Sequence, residues 1–156
     1  MSSYAYFRRA IPADINFISR QEANPKNEYI HRWDNATHQQ NLTNTQFHYL
    51  IAKDSNDKSL GYAILKDNED GRIEWRRVVI ATPGKGVGKA FMKDVLASFK
   101  ACKEATIWLD VYEDNERARH VYRSLGFKET HKEACPNNTK NTLVFMEYAH
   151  MKNCLP

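Results

Sequence analysis

The chain has 156 residues, 42% of them hydrophobic and 27% charged, with a formal net charge of +4. That length and balance describe one folded domain, 1–156, able to bury a core without metal or disulfide staples. The small positive excess does not make a charge-driven nucleic-acid binder, and it favours an anionic ligand over a cationic one. Three cysteines, Cys102, Cys135 and Cys154, lack the paired spacing of a metal site. An odd, unmatched set fits a reducing compartment, so a cytoplasmic location is expected. The opening MSSYAYFRRAIPADINF has no apolar stretch after its charges, unlike a secretion signal. No run approaches the roughly 18 apolar residues of a membrane span.

In chain order, residues 4–9 (YAYFRR) read as a short strand, and 13–23 place Ile15, Phe17 and Ile18 at helical spacing. Tyr29, Ile30 and Trp33 suit a second short helix. Asp34 or Asn35 can cap another that contains His38. Residues 46–53, 59–66 and 72–81 are strand-like and separated by the polar turns Asp54–Asp57 and Asp67–Gly71, a three-stranded meander. The period then changes. Residues 86–100 put Val87, Ala90, Phe91, Val95 and Phe99 on one helical face. A β-rich run follows at 105–112, then a helix at about 114–124 with Asp114 as N-cap and Gly126 as terminator. Strands near 127–133 and 141–149 surround the polar loop 136–139. The order β, helices, β-β-β, α, β, α, β-β predicts an α+β domain with one mixed sheet of about seven strands flanked by helices.

The most informative stretch is Val79-Ile80-Ala81-Thr82-Pro83-Gly84-Lys85-Gly86-Val87-Gly88-Lys89-Ala90, where three glycines join a strand to an amphipathic helix. Glycine lets a backbone approach a ligand closely, and a helix N-terminus offers free N–H groups to phosphate. A P-loop would need glycine at Pro83 and a hydroxyl at Ala90; a dinucleotide fingerprint would need glycine at Lys89. Both motifs fail. The bland alternative is a glycine-rich turn with no ligand.

The loop resembles the pyrophosphate loop of the GCN5-related N-acetyltransferases, the GNAT family, whose pattern is Arg/Gln-x-x-Gly-x-Gly/Ala between strand and helix. Gly86 and Gly88 take the glycine places, and Pro83 departs from the expected Arg or Gln. Lys85 and Lys89 can supply charge in its stead. Downstream, Asn115-Glu116-Arg117-Ala118-Arg119-His120-Val121-Tyr122-Arg123-Ser124-Leu125-Gly126-Phe127 resembles the family's second shared segment, Asn-x-x-Ala-x-x-x-Tyr-x-x-x-Gly-Phe, at all five marked positions. The resemblance covers roughly residues 46–149, and residues 1–45 fit loosely.

This resemblance implies a GNAT fold that binds acetyl-CoA as co-substrate and passes its acetyl group to an amine. It implies that Val78, Val79 and Ile80 hydrogen-bond the pantetheine arm through their backbone. Gly84, Lys85, Gly86, Val87, Gly88 and Lys89 would cradle the diphosphate. Asn115 would contact the arm, and Tyr122 would protonate the leaving thiolate. The alternative for Tyr122 is a core tyrosine on an apolar helical face. Glu74 is the candidate base, with Asp110 a weaker one; the alternative is a solvated glutamate paired with Arg76. Strict alternation would put Glu74, Arg76 and Val78 on one face and Trp75, Arg77 and Val79 on the other.

The basic run Arg117, Arg119, His120 and Arg123 reads as a solvated helix face, with the coenzyme's 3′-phosphate as the alternative partner. The six histidines are scattered without metal spacing, so no metal is expected. The acceptor would be an amine-bearing small molecule or peptide, with no nucleic-acid or membrane partner, the protein acting as monomer or homodimer. Segments 23–45 and 134–140 are expected to wall the acceptor side, with contributions from Tyr29, Trp33 and His38. Glu22, Glu28 and Asp34 are candidates for local acidity. Three other readings stay open: a non-catalytic acyl-CoA-binding or regulatory module, an acyltransferase using another acyl-CoA, and a plain interaction protein.

Overall fold

The computed structural model describes residues 3–27, 32–102, 106–136 and 138–148. Among them, seven strands form one sheet: β1 (Tyr4–Arg9), β2 (Phe47–Asp54), β3 (Ser59–Asp67), β4 (Ile73–Ile80), β5 (Ile107–Tyr112), β6 (Lys128–Cys135) and β7 (Asn138–Tyr148). Their spatial order is β1-β2-β3-β4-β5-β7-β6. Every neighbouring pair is antiparallel except β4 and β5, which run parallel. That is the mixed α+β sheet the element order predicts. A parallel pair cannot be joined by a hairpin, so the chain crosses over through a helix.

Among the described residues four α-helices flank the sheet: α1 (Ile15–Ala23), α2 (Asn35–Thr43), α3 (Val87–Cys102) and α4 (Glu116–Leu125). Helices α3 and α4 cover one face, over a core that includes Ile73, Trp75, Phe91, Val95, Leu109, Phe127 and Met146. On the other face, Ile18 of α1 packs with Tyr49, Ile51, Tyr62, Ile64 and Val79. The buried rings and branched chains of both clusters supply the apolar area that holds the layers together.

Local signals account for most boundaries. Asp34 caps α2, its carboxylate accepting from the Thr37 N–H at 2.8 Å. Gly126 ends α4 in the left-handed region at φ 110°. Three expectations shift. The cap of α4 is Asn115, whose Oδ1 accepts from the Ala118 N–H, and not Asp114. Strand β7 starts at Asn138, inside the expected 136–139 loop. After α1 the chain forms a 3-10 turn at Pro25–Asn27. The expected helix around Tyr29 and Ile30 falls on 28–31, outside the described residues, as does Glu28.

The alternation expected along β4 is also broken. Leu65 pairs with Trp75 but Ile64 pairs with Arg77, so Arg76 is an extra residue, a β-bulge. Ile73 and Trp75 before it, and Val78 and Ile80 after it, all pack against the same core. Glu74 therefore lies on the face opposite Val78, and no period-2 count through residue 76 could place it correctly.

Gly61 on β3 shows how closely the sheet backs this strand. A Cβ there would stand 2.4 Å from the Val79 carbonyl oxygen and 2.8 Å from Ile80 Cδ1. Gly61→Ala is expected to lower unfolding stability by about 1–3 kcal/mol, the usual cost of overpacking, read from the urea midpoint.

Candidate active site

Strands β4 and β5 pair only at Ile73–Ile107 and Glu74–Trp108. Beyond that point β4 stays bonded to β3, and β5 to β7. The facing edge of β4 thus loses its strand neighbour, and backbone groups there need another partner. A cleft of about 460 Å³ opens at this divergence. Val78, Val79, Ile80, Gly84, Gly86, Val87, Gly88, Lys89, Asn115 and Tyr122 all border it, so two motifs about 30 residues apart converge on one space.

The loop is shaped by its glycines: Gly84 and Gly86 sit at φ 93° and 75°, where a side chain would be strained. Helix α3 begins directly after. Its first bond runs from the Ala90 N–H to the Gly86 carbonyl, which leaves the N–H groups of Val87, Gly88 and Lys89 without helical acceptors. No acidic residue occupies that first turn. Free donors, the positive end of the helix dipole and no internal carboxylate together fit a diphosphate. Lys85 differs from its expected place. It borders a separate hollow of about 90 Å³ with Lys58, Ser59 and Thr82.

At the start of α4, Asn115 uses its side-chain oxygen as the helix cap and borders the cleft. Two turns further, Tyr122 rests its ring near Phe127, centroids 6.0 Å apart. Its hydroxyl makes no hydrogen bond among the described residues. Burial, then the nearby Asp110 charge, pushes its pKa up to about 12. Tyr122 thus packs against the core and also borders the cleft.

Glu74 does not border the cleft. Its carboxylate lies 3.4 Å from the Arg76 guanidinium. Desolvation, and then the Glu74 charge, raises the Asp110 carboxyl above its ordinary value. Electrostatically the three groups form a series, Glu74 on β4 acting on Asp110 of β5, which acts on Tyr122 of α4. Pro83, Arg117 and Ala118 also border the cleft, as do Asn27, Met92 and Val121, which the sequence reading did not assign to a site. Ala118, Val121 and Tyr122 share one helical face, at i, i+3 and i+4.

The acceptor-side expectations need correction. Glu22 and His38 have fully buried side chains, and neither is available to a ligand. Glu22 Oε1 accepts from His38 Nε2 at 3.0 Å; Oε2 accepts from the Tyr62 hydroxyl and the Arg77 guanidinium, each at 2.7 Å. A carboxylate only accepts, so His38 Nε2 carries a proton. His38 Nδ1 faces the Tyr49 hydroxyl at 2.8 Å, which in turn accepts from Asn41. The Trp33 N–H reaches Glu22 as well, and the Trp33 ring lies 3.9 Å from the Arg77 guanidinium carbon. Trp33 thus covers a buried ion pair and fastens the connector between α1 and α2.

No group of three or more His, Cys, Asp or Glu that could hold a metal occurs among the described residues. No helix among them is long and apolar enough to cross a membrane.

Residues 14–127 match the model of the Acetyltransferase (GNAT) family, well over half of the chain. Among solved structures, spermidine N-acetyltransferase from Vibrio cholerae in complex with CoA and spermine is similar at 18% identity and a TM-score of 0.78, covering 93% of this chain and 95% of that one. A chimera of the Vibrio cholerae enzyme SpeG with hSSAT gives a TM-score of 0.82 at 18% identity, covering 97% and 98%. A dodecameric form of the Vibrio cholerae enzyme gives 0.78 at 19%, covering 97% and 98%. At such identities these likenesses speak for the fold.

Proposed function

The chain belongs to the acetyltransferase (GNAT) family, and on that premise we propose that it transfers the acetyl group of acetyl-CoA directly to a primary amine, with Tyr122 as the acid. As a member it is an acyl-CoA-dependent N-acetyltransferase with acetyl-CoA as co-substrate. The observation that supports the finer reading is the convergence of the β4 edge, the glycine loop and Tyr122 on one cleft.

When bound, acetyl-CoA supplies a thioester whose carbonyl is open to attack and whose sulfur can leave. Gly84, Gly86, Gly88 and the first-turn N–H groups of α3 hold the diphosphate, with Lys89 adding charge. The unpaired edge of β4 at Val78–Ile80 receives the pantetheine arm as a strand would, and a backbone N–H there stabilises the negative charge that develops on the carbonyl oxygen. The Asn115 amide steadies the arm. An alkylamine is mostly protonated at neutral pH, with a pKa of about 10.4, so a base must take its proton. Glu74 does so through water, with Asp110 beside it; the raised Asp110 carboxyl suits this work better than an ordinary aspartate. Tyr122 donates to the departing sulfur. No residue of the protein needs to carry the acetyl group.

The amine acceptor is a small molecule or peptide, and the proposed setting is the cytoplasm, where the buried free Cys135 stays reduced. The deciding experiment measures thiol release from acetyl-CoA with a panel of primary amines. Spermidine heads the panel because the fold neighbours act on it, followed by spermine, amino acids, an aminoglycoside and a peptide with a free N-terminus. Release with at least one amine is expected. Thermal stabilisation by CoA with no release from any amine would replace this reading by that of a binding module. Faster release from succinyl-CoA than from acetyl-CoA would move the enzyme to another acyl donor.

A further inference from the structure

We propose that Arg117 of α4 grips the coenzyme's diphosphate, supplying from a neighbouring helix the cationic contact that the loop itself lacks. The inference rests on the acetyl-CoA reading above and concerns one residue of that site. The loop carries Pro83 where the family pattern has Arg or Gln, and proline brings neither a charged side chain nor a backbone N–H. Arg117 stands next to this deficit. Its Nη2 lies 3.7 Å from where a Cβ on Gly84 would be, and it borders the same cleft as Pro83, Gly84, Gly86 and Gly88.

Its neighbours on the helix are already engaged. Arg119 and Arg123 both bind the Glu129 carboxylate at 2.9 Å, and Arg119 also donates to the Glu113 carbonyl. Arg117 is exposed and makes no hydrogen bond or ion pair among the described residues. It is also the second residue of α4, where the helix dipole disfavours a cation. An unpaired guanidinium held in an unfavourable field, over a loop of free N–H donors, is accounted for by an anion between them. The planar fork of arginine matches two phosphate oxygens at once. Gly84 then has two tasks: it takes the left-handed turn, and it leaves the guanidinium room.

The test compares binding of CoA, dephospho-CoA and pantetheine to the wild type, Arg117→Ala and Arg123→Ala, by calorimetry or ligand-induced thermal shift. Loss of a charge-assisted contact is expected to weaken CoA and dephospho-CoA about ten- to a hundredfold in Arg117→Ala. Pantetheine, which has no diphosphate, should bind it as it binds the wild type. Arg123→Ala should match the wild type for all three, and Arg117→Lys should recover part of the loss as a point charge. Equal CoA affinity in Arg117→Ala and wild type would overturn the proposal. So would a loss confined to CoA and absent with dephospho-CoA, which would put Arg117 on the 3′-phosphate. Wild-type protein that binds none of the three would remove the acetyl-CoA reading itself, and this one with it.

Discussion

Tyr122→Phe is expected to lower turnover about ten- to a hundredfold while CoA binding keeps its wild-type strength. The substitution removes only the hydroxyl. The ring that packs near Phe127 remains, so the fold should not change. The size of the effect follows from the pKa. At about 12, the phenol is a weaker acid than an ordinary tyrosine and far weaker than a thiol of about 8.5. Full transfer of its proton to a thiolate is uphill, so in the proposed mechanism Tyr122 acts as a hydrogen-bond donor to the developing charge. That places the loss toward the low end of general acid effects.

The same value sets the pH dependence. A raised pKa keeps the proton on Tyr122 throughout the alkaline assay range, so no decline in turnover between pH 8 and about 11 should come from this residue. A basic limb that disappears in Tyr122→Phe would contradict the value. Unchanged turnover would retire the acid assignment. A parallel loss of CoA affinity would make Tyr122 a binding residue.

Glu22→Ala is expected to cost about 3–5 kcal/mol of stability, the usual result of breaking a buried ion pair from one side. Removing this carboxylate takes the acceptor from the His38 N–H and the Tyr62 hydroxyl and a charged partner from the Arg77 guanidinium. Glu22→Gln keeps the shape and one acceptor, and should cost about 1.5–3 kcal/mol, the worth of a hydrogen bond to a charge. Burial on its own would raise the Glu22 carboxyl. The hydrogen bonds from His38 and Tyr62 and the Arg77 charge outweigh it and hold the group below the usual carboxylate range.

A depressed carboxyl contributes stability that is full above its unfolded pKa, about 4.3, and is lost as pH falls through the folded value. The gap between wild type and Glu22→Gln should therefore be widest near neutrality and should close below about pH 4. Urea unfolding at pH 7 and at steps below about pH 4 reads both the gap and its closing. Equal stability of the two proteins at pH 7 would refute the assigned role.

Residues near one another in sequence were legible. Asp34 and Gly126 end helices through bonds to residues a few positions away, and both act as the sequence indicates. The glycine loop and the Asn115–Phe127 segment were readable because each cleft-bordering set lies within one turn or one helix. Asp114 was misread in place of Asn115 because adjacent Asp and Asn are equally good caps, and only the backbone angles choose between them. The Arg76 bulge left no mark, since neither it nor its neighbours break the β-rich composition of the strand.

The Glu22 cluster was out of reach for a different reason. Its partners stand 16, 40 and 55 residues away, and nothing in a single sequence ties a helical glutamate to an arginine on the fourth strand. The same holds for Arg117, which has the same local surroundings as Arg119 and Arg123 and differs only in what the fold puts beside it.

Sequence alone settled the order of elements, the change from strand to helix period, and the two motifs that name the family. Those features depend on propensity, capping and spacing within a turn or two of chain. Tertiary structure alone decided where β4 and β5 part, which face Glu74 takes, which carboxylate is buried and which arginine is left free. Each of these is a contact between segments far apart in the chain, and such contacts are chosen by the packing of the whole sheet and its helices.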